Sequence, residues 1–334
     1  MRSKWLHLEK SKSMATAAVM LLSVTVMSIV ACSPKQAVPE RRPATKPVVA
    51  TVRYGESPPE MAKFAAEIAR SQLAYIDIIA DKNIDVAPWN SKLGGLPYLP
   101  KDQAYPTGPD GVPLALLAQL NFSEMPALKG YPSQGILQFF IAVGDAKAHI
   151  YGMPQYHAKP YNEQNFFAAL SKQAWFKLIY HPQVLQERAT LRSPPMLPRE
   201  MMLPLAGTTR LRFQAGTEPV SIWDYRFQRF FGKPADKFFE QFGAQEDAVA
   251  VNYEAFSQKD HLAKMGGYSS PVQKDPRMIR PAEDWVVLLE LQEGRRDGSF
   301  DMIWGDAGMG AFYIRADDLK RRDFSRVVYY WDNH

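Results

Sequence analysis

Cysteine is almost missing: one residue, Cys32, in 334. No disulfide can close within the chain, and no thiolate cluster can gather around a metal ion. Histidine is scarce too. His7, His149, His157, His181, His261 and His334 form no H-E-x-x-H or other compact ligand spacing, so a zinc site has no local support. There is no G-x-S-x-G elbow to expose a hydrolase serine. The chain beyond its first residues also lacks an excess of charge. The formal net charge is +5, but nine of the 40 basic and three of the 35 acidic residues precede Ser57. That leaves 31 against 32, a net charge of −1 from Ser57 onward. A nucleic-acid binder carries its cations on the folded domain. No nucleic-acid partner is expected, and the pattern implies no metal, no cofactor and no catalytic residue.

What is present begins with a basic stretch bearing Arg2, Lys4, Lys10 and Lys12, then residues 15–31, seventeen positions without a charge. That run is at the short limit for a membrane span, and it closes on Ile29-Val30-Ala31-Cys32. An aliphatic residue, two small or aliphatic residues and a cysteine look like a bacterial lipobox. Residues 1–31 then read as a signal peptide removed on maturation, with Cys32 the lipidation site. Several acyl chains hold a protein firmly where one does not. The other reading is an uncleaved signal-anchor helix. Residues 32–56, with prolines at 34, 39, 43 and 47, read as an extended tether. Ser33 stands where the usual retention signal is aspartate, so the expected place is the bacterial envelope, on the periplasmic face of the outer membrane.

Residues 57–334 are long enough for one large domain or two coupled ones. Ser57 is a plausible N-cap, with Met61, Phe64, Ala65, Ile68 and Leu73 at helical spacing. Residues 114–120, 135–143, 285–291 and 311–314 are apolar runs of strand length, with a Pro109-Asp110-Gly111 turn before the first. Residues 162–170 and 235–242 read as helical, and the prolines between 194 and 204 as an irregular crossing. Helical pieces set apart from strands predict an α+β fold, strand-rich with a helical insert. An internal echo suggests a duplicated core of two half-sheets, at about 91–145 and 264–320. Lys92-Leu93-Gly94-Gly95 precedes Leu116-Leu117-Ala118-Gln119-Leu120, and Lys264-Met265-Gly266-Gly267 precedes Val287-Leu288-Leu289-Glu290-Leu291. A glycine-led aromatic strand follows each, at Gly135 and at Gly310.

The blocks SKLGGLPYLP (residues 91–100), LLAQLNFSEMP (116–126), GILQFFI (135–141), EPVSIWDYRFQRFFGK (218–233) and IWGDAGMGAFYIRADDLKRRDFSRVVYYWD (303–332) resemble the YwqG-like family. One departure is Ser269-Ser270 before Pro271, where relatives place proline directly after the tyrosine; the lipobox is another. The resemblance implies a duplicated, strand-rich bacterial domain, distantly similar to the programmed cell death protein two group, which escorts a newly made ribosomal protein. It implies a scaffold that holds polypeptide and supplies no catalytic residues.

Gly305-Asp306-Ala307-Gly308-Met309-Gly310 has the glycine order G-x-x-G-x-G, which is neither a dinucleotide nor a P-loop signature. It reads as a tight connection between strands. Asp317 and Asp318 read as helix-start carboxylates, and the aromatic groups near 166–176, 223–231 and 329–331 read mainly as core. The expected function is a non-enzymatic scaffold or chaperone-like module, anchored by lipid, that binds a protein or peptide. The candidate binding residues are Gly94, Gly95, Gln119, Gln138, Gly266, Gly267, Trp304 and Asp306. The alternatives are a hydrolase acting on an envelope component, with Asp306 among its acids, and an immunity-type protein.

Overall fold

In a computed structural model of the protein, the described residues are 55–81, 85–143, 149–153, 162–198, 202–258, 261–295 and 301–334. Cys32 and the segments expected to be signal and tether, up to residue 54, lie outside them. The chain divides into the units Met1–Val49 and Ala50–His334, and the fold below belongs to the second.

The body opens with a 3-10 turn, Pro59–Phe64, running into α1 (Ala65–Arg70). Its N-cap is Pro58, with no side-chain cap bond, rather than Ser57. Leu73 does not continue this helix. Ser71 turns its hydroxyl back onto the Ile68 carbonyl at 2.8 Å, and Leu73 starts β1 (Leu73–Asp81). Its isoleucines 76, 78 and 79 favour a pleated surface over a helix.

The remaining strands are β2 (Lys92–Gly94), β3 (Ala115–Asn121), β4 (Ile136–Ile141), β5 (Phe176–His181), β6 (Thr208–Glu218), β7 (Ala263–Gly266), β8 (Trp285–Gln292), β9 (Gly294–Arg295), β10 (Asp301–Met302), β11 (Met309–Arg315) and β12 (Val328–Asp332). Ten of them form one antiparallel sheet in the order β12-β11-β8-β7-β1-β6-β2-β3-β4-β5. β9 and β10 form a separate ribbon. The sheet curls until its two ends approach. Phe176 of β5 packs 5.3 Å from Tyr329 of β12, and the Gln173 amide donates to the Phe324 carbonyl at 2.6 Å. The result is a nearly closed antiparallel barrel with a few helices.

Both ends of the strand order contribute to one interior, where Phe139 meets Phe312 at 4.9 Å among Ile76, Leu137, Leu211, Leu288 and Leu291. The outer faces of β8, β11 and β12 are buried as well, under Phe167 and Leu170 of α2 (Glu163–Leu170). Burial on both faces is why β3, β4, β8 and β11 read as continuous apolar runs rather than alternating ones. The strands expected from the sequence are present, and β1 and β6 add the central pair that unites the two four-strand ribbons in one sheet.

The two ribbons match in register. Lys92 faces Gln119 and Lys264 faces Glu290. Against β4, β3 bulges at Leu117; against β11, β8 bulges at Leu288. Between the ribbons the chain forms α3 (Phe227–Phe231), α4 (Ala235–Phe238) and α5 (Glu246–Ser257). They share an aromatic cluster of Phe227, Phe231, Phe238, Phe239 and Tyr253 with Phe64. α6 (Ala316–Arg321) opens with Asp317 and Asp318 in its first turn, as expected, and Arg315, Arg321 and Arg326 surround the buried Asp318.

Candidate functional site

Two corners of the barrel are built alike and furnished differently. All four glycines of the pairs have positive φ: 62° and 72° at Gly94 and Gly95, 72° and 66° at Gly266 and Gly267. A Cβ on Gly94 would stand 2.2 Å from the Gly207 carbonyl oxygen, and one on Gly266 2.8 Å from that of Ala74. Only glycine combines that conformation with that approach. Gly95 abuts Thr208, the first residue of β6, and Gly267 abuts Glu218, the last. At ~3.4 Å per residue the corners are roughly 30 Å apart.

The second corner lies where the chain enters the body, because Ser71 binds both Tyr268 and Val220. It is ionic. The buried Glu218 accepts from Lys264 Nζ at 2.8 Å and from the Tyr268 amide at 2.7 Å. His261 Nδ1 lies 3.1 Å from Asp77, while its Nε2 faces Glu218 Oε2 at 3.6 Å, and neither of those two atoms has a hydrogen-bond partner. Burial disfavours charge at both. The Lys264 ammonium and the donors around Glu218 nevertheless hold its carboxyl below the usual range. The hydrogen bond to Asp77 and the facing Glu218 carboxylate likewise outweigh burial and raise His261. Further out, the fully buried Arg277 binds Asp275 at 2.7 Å and Asp224 at 2.9 Å and stacks on Tyr313 and Tyr225. Ser269 joins the Tyr313 hydroxyl to Glu290.

The first corner is built mainly on amides, beside an ion pair of Arg210 and Glu124 at 2.9 Å. Gln119 accepts from the Tyr98 amide at 2.7 Å and from Gln138 at 2.9 Å, and donates to the carbonyls of Pro88 and Asn90. Gln138 donates to the Tyr98 carbonyl and meets His181 Nε2 at 3.0 Å. Burial pushes His181 down to about 4 despite Asp102, and takes Lys92, with help from Arg210, down to about 8. The surface beyond this network is open. Leu96, directly after the glycines, is 68% exposed; Leu185, Met196, Met202 and Ile303 are exposed as well. The segments that carry them are tied to one another and form a rim. The Leu185 amide donates to the Tyr98 hydroxyl, residue 191 bridges to Pro100, residue 205 bridges to Met302, and the Ile303 amide donates to Pro204.

Among the sequence candidates, Gln119, Gln138 and Trp304 are buried, as are Gly94, Gly266 and Gly267. Gly95 is half-buried and Asp306 exposed. Gln119 and Gln138 come together; Trp304 and Asp306 sit apart from them, in the connection into β11. There Glu293, from the turn between β8 and β9, accepts from the amides of Trp304 and Gly308, at 2.9 and 3.1 Å, so a carboxylate of the fold already occupies these donors. The ionic group of Asp77, Glu218, His261 and Lys264 was not among the candidates. Its members are scattered through the chain, and the one available signal was the repeat of lysine two residues before each glycine pair. Among the described residues, no three of His, Cys, Asp and Glu converge as metal donors, and no helix is long and apolar enough to cross a membrane. An apolar groove of about 430 Å³ between Ser57 and Gln72, at the chain-entry end, has no ionisable side chain in its lining.

Residues 91–333 match the family model described as Domain of unknown function (DUF1963). No curated protein matches the chain.

Proposed function

The chain belongs to the DUF1963 family, a domain of unknown function, and on that footing we propose that its body is a non-enzymatic protein-binding scaffold. The observation that carries this reading is the apolar rim at the first corner, with Leu96 68% and Met196 91% exposed. Exposed apolar side chains gathered on linked segments suit an interaction site, and this rim lies at the opposite end of β6 from the point where the chain enters. A lipid at Cys32 and a tether to residue 56 would anchor this body and leave it free to meet a partner. DUF1963 is read here as the YwqG-like family, and a peptide-holding role like that of the programmed cell death protein two group belongs to the same proposal. So does duplication, supported by the equal glycine pairs, the lysines opposite Gln119 and Glu290, and the bulges at Leu117 and Leu288.

An enzyme acting on the envelope is the second reading, and the Asp77–His261–Glu218 group is what favours it. Its carboxylates have partners inside the fold, and Glu218 and His261 are buried. A reacting site needs such groups within reach of substrate. Two measurements on the full-length protein test the preferred reading. Fatty-acid label should enter the wild type and not Cys32→Ser; label in both would sink the anchor. Photo-crosslinkers placed singly at positions 96 and 185 should each capture one stoichiometric polypeptide, with capture from position 185 lost in Leu96→Asp. Capture that ignores Leu96→Asp would remove the rim from the account.

A further inference from the structure

The crest of the rim is a proline run that the barrel does not use. Residues 192–198 read Arg-Ser-Pro-Pro-Met-Leu-Pro. Ring closure fixes φ near −65° at Pro194, Pro195 and Pro198. The residue before a proline is pushed out of the helical region toward extended backbone, which covers Ser193, Pro194 and Leu197. Within 193–198, only Met196 escapes both restrictions. The intrinsic state of such a segment is the left-handed polyproline II helix, with three residues per turn.

Burial along the segment has that period. Leu191, Pro194 and Leu197 are half-buried, while Arg192, Ser193, Pro195, Met196 and Pro198 are exposed. One ridge of three therefore lies against the body and the other two face solvent. The start is fastened by the Arg192 amide, which donates to the Leu99 carbonyl at 3.1 Å, and by the bridge between residues 191 and 100. Residues 193–198 belong to no helix or strand. With a repeat of three, Arg192, Pro195 and Pro198 align along one outward ridge, a cation followed by two proline rings.

We propose that residues 192–198 are a displayed polyproline II ligand, recognised by a partner domain whose groove is lined with aromatic rings and carries a carboxylate for Arg192. Proline rings pack on flat aromatic faces, and a ligand already held in this helix loses little conformational entropy on binding. The proposal rests on the rim being partner-facing and makes it narrower: the crest is presented to a groove, and Met196 adds apolar contact beside it.

An isotope-labelled SH3 domain that selects basic-x-x-Pro-x-x-Pro ligands is a suitable probe, titrated with the full-length protein and followed by NMR. Resonances of its aromatic groove should shift. Arg192→Glu and the double variant Pro195→Ala/Pro198→Ala should each weaken binding at least tenfold with unchanged melting temperature, and Leu96→Asp should not. No shift with the full chain, or variants that bind like wild type, would overturn the proposal. If that happens while crosslinking at the rim still depends on Leu96, the scaffold reading stands and the polyproline ligand falls. If crosslinking ignores Leu96 while the SH3 domain still binds, the reverse holds.

Discussion

The two glycine corners begin from nearly the same residues and end as opposites. After Gly94-Gly95 comes Leu96, 68% exposed; after Gly266-Gly267 comes Tyr268, 2% exposed with its hydroxyl bonded to Ser71 at 2.5 Å. Opposite Lys92 stands the neutral Gln119, and opposite Lys264 the acid Glu290. The first corner satisfies its interior with amides and leaves its surface bare. In the second, the ion pairs of Glu218, Lys264 and Arg277 are buried, although the adjoining segments expose Trp223 and Met278. A shared backbone device therefore does not dictate a shared use. Glycine fixes the turn, and the side chains facing it decide whether the corner is open or sealed.

That comparison breaks first at the glycines. Gly94→Val and Gly266→Val should each destabilise the protein by ~3–5 kcal/mol, since both force a branched residue into positive φ against a backbone carbonyl. Denaturant unfolding of the two variants should give similar losses. A much smaller loss at Gly94 would mean that the first corner relaxes where the second cannot. A smaller contrast is expected one step along the chain. Tyr268→Leu removes a buried hydroxyl bond and leaves the Ser71 carbonyl short of a donor, costing about 2 kcal/mol. Leu96→Ala should stay within about 0.5 kcal/mol of wild type. Equal losses at the two positions would contradict the open and sealed assignments.

The finest test is pH. His181 has its folded-state pKa depressed to about 4 by burial. Its contribution to stability is therefore present above the ordinary histidine value of about 6.5 and is lost as pH falls toward 4. His261 is raised against the pull of burial by its bond to Asp77 and the facing Glu218 carboxylate. Its contribution is full below about 6.5 and is lost as pH rises through the elevated value. NMR titration should find His181 still neutral at pH 5 and His261 still charged at pH 6.5. If His261 titrates below the free value, Glu218 is not acting as its partner. Replacing His261 with glutamine should flatten the alkaline side of the stability profile and leave the acid-side loss at His181 in place.

Much of the barrel was legible in the residues. The apolar runs of β3, β4, β8 and β11 announced strands because they are buried on both faces, and the paired glycines announced matched corners because no other residue tolerates them. β1 and β6 escaped notice. β1 follows a helical pattern without a break in apolar spacing, whereas β6 does alternate, Arg210-Leu211-Arg212-Phe213-Gln214-Ala215, so a half-buried strand was legible there. The site was less legible. Gln119 and Gln138 were expected near a bound peptide and instead bond each other inside the fold, because their strands are neighbours in register.

The sequence by itself determined the neutral body, the lack of thiolate and compact histidine chemistry, the two glycine turns and the stiff proline run. Each of these follows from composition, from local sterics or from ring closure, and none needs a partner distant in the chain. Only the tertiary structure decided that Glu218, His261 and Asp77 share one buried site and that Leu96, Leu185, Met196 and Ile303 share one exposed rim. Those groupings depend on how antiparallel strands register and how the sheet curls, and a one-residue shift in any strand would turn its side chains to the other face.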